Sequence, residues 1–239
     1  MKAMFTSLLG GALFFASAVS AQAPSSAPPP AEAQGWTMQD FAALPLMHAP
    51  ALSPDGLHIA SRVAVNGEQL LVIADVHDGP NRVRSIAMGD NDLNWWQWVN
   101  DEWLIAGVGG ESNVQGTPWY ISRVASIKRD GSKINMLAKS VAAQSADDVI
   151  WVARDGTPRI LLSYQTSIFY SDPGFWPKVD EIDVSTGKMH GVIAPRQYVR
   201  NWYADATGAV RMGVGYNDGT RTSKLLYRPD GRATFRVVD

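Results

Sequence analysis

The chain contains no cysteine. That excludes a disulfide framework, a thiolate metal site and a cysteine nucleophile. Histidine is scarce, with His48, His58, His77 and His190 the four present. No His-x-x-x-His or His-Glu spacing occurs, so a zinc site has no support. A hydrolytic triad needs a histidine that is oriented by a carboxylate and touches a nucleophile. His58 falls in an expected strand, His77 beside a turn and His190 in a short outer strand. None stands beside a plausible serine, and all four are read as structural or solvent-facing. A Gly-x-Ser-x-Gly nucleophile elbow is also missing. Charge excess is missing too, because the formal net charge is only -2. This gives no electrostatic reason for a nucleic-acid or anionic-membrane partner. No long stretch has a 3.6-residue apolar period, so helix is expected to be scarce. Gly107, Gly109 and Gly110 lack the Lys-Ser/Thr pair and the helix that a phosphate loop needs. The sequence therefore nominates no catalytic, cofactor-binding or metal residue, and no cofactor.

What is present points to β structure. Apolar residues make up 46% of the chain, enough to build a core, alongside nine Trp and 21 Gly. Aromatic residues suit pleated, half-buried surfaces and glycine suits turns. The beginning reads as an address. Lys2 precedes an apolar stretch over 4–15, and Val19-Ser20-Ala21 supplies small residues for cleavage. Residues 1–21 are thus expected to be a secretory signal peptide, too short in its apolar part to span a membrane comfortably. The expected location is exported, periplasmic or secreted. Residues 22–35 are rich in Ala and Pro, including Pro28-Pro29-Pro30, and read as a linker. One helical turn is expected over 40–44, before Pro45.

From Ala51 onward, short apolar runs alternate with turn signals. Six Asp-Gly pairs occur, at Asp55, Asp78, Asp130, Asp155, Asp218 and Asp230, and Asn66-Gly67 adds another. Such pairs predict type I′ hairpin turns, with φ > 0 at both central residues. Leu70, Val72, Ala74 and Val76 share one strand face, with Leu71 and Ile73 on the other. Ile160-Leu161-Leu162 reads as a strand buried on both faces. Gly79, Gly131, Gly187 and Gly231 each separate an apolar run from a shorter one, at spacings of 52, 56 and 44 residues. A unit of that size, holding about four strands, fits a propeller blade. A β-sandwich is the plainer alternative, but the recurrence near fifty residues favours blades. Residues 36–239 are therefore expected to form a β-propeller of about four blades, all-β in class.

Several clusters carry a candidate function beside a structural reading. Trp95, Trp96, Trp98 and Trp103 are dense enough for an aromatic platform, yet Trp96 and Trp98 share one strand face and Trp95 the other. Packing between blades accounts for that better. Phe169, Tyr170, Phe175 and Trp176 lie in a loop-like segment around Pro173-Gly174, where substrate contact is the functional reading. Arg123, Arg159 and Arg211 are expected to form ion pairs at blade edges or to face solvent. Asp147-Asp148 and Glu181 are acidic, but no Glu-Glu pair occurs.

Ser53-Pro54-Asp55-Gly56 followed by Leu57-His58-Ile59-Ala60 resembles a blade opening of the prolyl oligopeptidase family and of TolB-like proteins. The stretch from Asp92 through Trp95-Trp96-Gln97-Trp98 to Ile105 resembles a second blade of exported acylaminoacyl-peptidase-like enzymes. Trp176-Pro177-Lys178-Val179-Asp180-Glu181 resembles a third, and Asn201-Trp202-Tyr203-Ala204-Asp205 a fourth. The resemblance covers 36–239. It implies part of a seven-bladed propeller that filters peptides before an α/β-hydrolase domain with a serine triad. That domain has no counterpart in this chain, so no family catalytic residue is carried over. The implied partner is a peptide substrate of the parent enzyme, with self-association through open blade faces. The alternative is a stand-alone periplasmic propeller that binds or scaffolds a protein.

Overall fold

The computed structural model describes Met38 and residues 47–65, 68–78 and 83–238. The expected signal peptide and linker, the helical turn over 40–44, Asn66-Gly67 and the repeat glycine Gly79 lie outside the described residues. No helix among the described residues is long and apolar enough to cross a membrane.

Among the described residues sixteen strands form four four-stranded antiparallel sheets, each a meander of consecutive strands. The first holds β1 (Met47–Leu52), β2 (His58–Val65), β3 (Glu68–Asp75) and β4 (Val83–Ala87). The second holds β5 (Asp92–Trp98), β6 (Trp103–Val114), β7 (Thr117–Lys128) and β8 (Ile134–Met136). The third holds β9 (Asp148–Val152), β10 (Arg159–Tyr164), β11 (Lys178–Asp183) and β12 (Met189–Ile193). The fourth holds β13 (Val199–Ala204), β14 (Val210–Asn217), β15 (Thr222–Tyr227) and β16 (Arg236–Val238). These are the blades of a β-propeller, and Gly131, Gly187 and Gly231 fall between third and fourth strands as the repeat predicts.

The blades stack face to face, and each contact is a core. Leu71, Ile73 and Ile86 of blade one meet Leu93, Leu104, Ala106 and Ile127 of blade two. Ile105 and Val124 of blade two meet Ile160, Leu162 and Ile182 of blade three. Leu161 and Val179 of blade three meet Val199, Trp202 and Leu226 of blade four. The strand periodicity explains this division. Ile160 and Leu162 point one way and Leu161 the other, so a continuous apolar run serves two interfaces. Fully burying one such leucine stabilises by about 1.5–3 kcal/mol.

Large rings fill the wedges because glycine stands opposite them. Trp95 pairs with Gly107, where a Cβ would lie 2.2 Å from the indole. Trp202 pairs with Gly213, where a Cβ would lie 2.5 Å from the ring. The indole N–H of Trp202 donates to the Pro177 carbonyl of blade three at 2.9 Å.

The outward faces of the first and last blades differ from the inner ones. On blade one, Met47, Val63, Leu70 and Ala87 align across the sheet, as do Leu52, Ile59, Ala74 and Val83. On blade four, Tyr203, Met212 and Tyr227 align, as do Val214, Leu225 and Val238. Met47, Leu52, Val83, Tyr203 and Val238 are exposed. Among the described residues no buried core covers either face.

The Asp-Gly turns at Asp55, Asp130 and Asp155 are not type I′. Gly56, Gly131 and Gly156 have positive φ, but their preceding aspartates do not. Each aspartate instead accepts from the N–H two residues on: Asp55 from Leu57 at 3.0 Å, Asp130 from Ser132 at 2.9 Å and Asp155 from Thr157 at 3.1 Å. That side-chain bond fixes the turn locally and leaves only one residue left-handed. Positive φ at both central positions occurs at Gln115-Gly116, the two-residue loop between β6 and β7.

Candidate functional site

The meander order leaves β1, β5, β9 and β13 each at one edge of its sheet. First strands of neighbouring blades lie close together, with β9 against β13 and Trp98 of β5 bonded to Ala51 of β1. There the ends of β5 and β9 and the start of the β13–β14 turn enclose a cavity of about 600 Å³. Its walls include Trp98, Asp101, Trp151, Arg154 and Asp205. A volume in this range suits a small ligand or a few residues of peptide.

Hydrogen bonds between blades hold this cavity in shape. Trp98 donates its indole N–H to the Ala51 carbonyl at 3.2 Å, and Trp151 donates to the Ala206 carbonyl at 3.1 Å. The Asn100 amide donates to Gly156 O at 2.8 Å, and the Asp55 N–H donates to Asp101 Oδ1 at 2.8 Å. Each bond joins neighbouring blades. Asp205 is fully engaged: it accepts from Thr207 and Ala209 and pairs with Arg211 at 2.8 Å. The hydroxyl of Thr207 leads in holding its pKa down at about 2, with Arg211 adding to it. Arg154 is exposed and makes no ion pair or hydrogen bond among the described residues.

A second cavity, of about 320 Å³, opens at the other end of the blade three–four crevice. Asp148, Phe175, Trp176 and Arg200 are among its walls. The aromatic side is built by the loop between β10 and β11, where Tyr170, Phe175 and Trp176 meet at centroid distances of 5.1–5.4 Å. Tyr198 extends the group against Trp176 at 5.3 Å, and Arg200 lies over the same indole at 5.5 Å. Asp172 caps the short 3-10 turn Pro173–Phe175, accepting from Gly174 N. Asp148 has an open edge, yet protein closely surrounds its carboxyl. This desolvation raises its pKa, opposed by a hydrogen bond with Ser163. A third cavity, of about 300 Å³, lies between the other two.

The structure redistributes the candidates read from sequence. Trp95 and Trp103 pack in the blade two–three core, and Trp96 and Trp98 against the blade one–two core. Trp98 also reaches the first cavity. His58 lies 3.0 Å from Arg129 and 3.9 Å from Asp75. His48 contacts Arg62 at 3.1 Å, His77 sits in a turn and His190 lies on β12. Arg159 and Arg211 form the expected ion pairs. Arg123 corrects its expectation: its guanidinium donates to the carbonyls of Ser122, Ala142 and Gln144, bracing the connection between blades two and three. Burial lowers its pKa. Glu181 pairs with Arg159. Asp147 accepts from Ser122 Oγ at 2.5 Å, while Asp148 alone reaches the second and third cavities. Sequence reasoning missed Trp151 and Arg154. The available signal was positional, since both adjoin Asp155-Gly156, the turn closing the first strand of a blade.

No protein-family model matches the sequence, and no curated protein sequence does. Solved structures with a similar course of chain include a puromycin-hydrolysing peptidase of Mycobacterium tuberculosis. It is 17% identical at a TM-score of 0.48, over 81% of this chain and 29% of that one. TolB from Acinetobacter baumannii is 13% identical at 0.39, over 80% and 43%. The β-propeller domain of the Trilobed protease from Pyrococcus furiosus is 13% identical at 0.28, over 81% and 84%. The chain thus spans less than half the length of the first two. The propeller itself rests on the chain's own four meanders and their stacking.

Proposed function

We propose that these four blades are the access-controlling propeller portion of an exported serine peptidase of the prolyl oligopeptidase type. They admit short or flexible peptides along the axis, towards a hydrolase domain that this sequence does not contain. The blades supply walls and selectivity, and the chemistry belongs to that other domain. The observation that carries the reading is the contrast between three buried blade–blade cores and two outer faces that no core covers among the described residues. Stacked blades bury both faces of every sheet when the ring is complete. An apolar sheet face such as Ile59, Val63, Leu70 and Val72 is therefore suited to a further blade, and exposed to water it favours association.

The test is the solution mass of the full chain by sedimentation. The expected result is self-association, abolished when Val72→Lys and Leu225→Lys are combined to charge both outer faces. A monodisperse monomer with one cooperative unfolding transition would overturn the reading and point to a self-sufficient binding propeller.

A further inference from the structure

The three cavities form one continuous groove. The second and third share Asp148 and Asn201, and the third and first share Ile150 and Ala204. The groove therefore follows the inner edges of β9 and β13 from one end of the propeller to the other. Among the described residues each of these strands has a strand partner on one side only, β9 with β10 and β13 with β14. Their other edges border the groove without a strand partner, which is what an added peptide strand needs. Between its ends the wall is apolar or neutral, from Ile150, Trp151, Trp98 and Ala204.

Each end holds a charged side chain of its own, Asp148 at one and Arg154, beside the still-charged Asp101, at the other. At one end stands Asp148, which has no cationic partner among the described residues. At the other stands Arg154, with no anionic one. Arg200 also lines the Asp148 end, but it is held by Asp218 at 3.2 Å and by the Trp176 ring. Asp101 and Asp205 line the Arg154 end. The first accepts the Asp55 N–H and the second is paired with Arg211. Asp148 and Arg154 are six positions apart on and just beyond β9, about 20 Å in extended chain. That is the length of an extended peptide of about six residues.

Resting on the gating reading, we propose that this groove binds an extended peptide of about six residues in one direction, its amino terminus at Asp148 and its carboxyl terminus at Arg154. The backbone edges supply affinity independent of sequence, and the two end charges supply direction and length.

The test uses the full chain and three versions of a glycine–alanine hexapeptide: both termini free, N-acetylated, and C-amidated. Binding is read from the emission of Trp98 and Trp151 and from calorimetry. Acetylation and amidation are each expected to weaken binding by about tenfold, the worth of one partly desolvated ion pair. Asp148→Asn is expected to bring the free and acetylated peptides to equal affinity while leaving the amide effect intact. Arg154→Gln is expected to do the converse. Equal binding of all three peptides, no binding of the free one, or the two variants acting on the opposite termini would overturn the proposal. None of these results bears on self-association of the blades, so failure here is separable from failure of the gating reading.

Discussion

The two ends of the propeller are built by different rules. At one end, eight turns join first to second and third to fourth strands, and all use the same device. The side chains of Asp55, Asp75, Asn100, Asp130, Asp155, Asp183, Asp205 and Asp230 each accept the backbone N–H two residues on. Ser132, Thr157, Ser185 and Thr207 add a hydroxyl bond to the same carboxylates. Among the described residues the left-handed positions here are glycine: Gly56, Gly131, Gly156, Gly187 and Gly208. The opposite end has loops of unequal length, and Gln115, Ala138, Tyr198 and Arg221 take positive φ while carrying side chains. Such conformations cost free energy and persist where surrounding contacts impose them. One end is thus a repeated structural clasp. The other varies from blade to blade and holds the aromatic group around Trp176.

Substitutions should separate the two ends. The largest effect is expected for Gly208→Val, which combines φ +83 with a Cβ 2.9 Å from the Trp151 indole. It should cost about 3 kcal/mol or more in denaturant unfolding. At the other end Gly116→Ala meets open space at φ +84, and should cost only the backbone term of about 1–2 kcal/mol. Asn100→Ala removes bonds to Glu102 N, Trp103 N and the carbonyl of Gly156, and should cost about 2 kcal/mol. Asn217→Ala, which loses only Gly219 N and Thr220 N, should cost under about 1 kcal/mol.

A smaller effect is expected in acid. Hydrogen bonds from Ser132, Thr157 and Thr207 are the leading cause that holds Asp130, Asp155 and Asp205 at about 2, below the usual 3.8. Their contribution is present above pH 4 and lost as pH falls towards 2. Combined Asp→Asn substitution at the three sites should flatten the melting temperature between pH 4 and pH 2, while keeping an acceptor for each turn. An unchanged acid slope would mean that these turns do not govern it. The smallest effect is expected for Arg221→Gly, which relieves φ +54 at an exposed loop residue. It should raise stability by up to about 1 kcal/mol in the same unfolding measurement.

The repeated end was the legible one. An aspartate bonding two residues ahead is a local event, so Asp-Gly pairs mark the turns wherever the chain goes. They marked position better than conformation, because the side-chain bond replaced the type I′ geometry. The alternation around Leu71 and Ile73 likewise marked the two faces of the strand, and the structure buries the Leu71 and Ile73 face. The groove was not legible, because it depends on which strand edges meet across blades. Nothing near Trp98 in sequence announces a bond to Ala51, nor does Trp151 announce one to Ala206. Arg123 misled for a similar reason: its partners lie on a connection about twenty residues away, as carbonyls rather than carboxylates.

The proposed role of these blades in a larger peptidase is tested by isolating from the native cell the polypeptide that carries this sequence, weighing it intact and treating it with a fluorophosphonate probe. The expected result is a species well above 26.0 kDa that the probe labels on a serine outside these residues. An unlabelled species slightly below 26.0 kDa, shortened only by removal of a signal peptide, would contradict it.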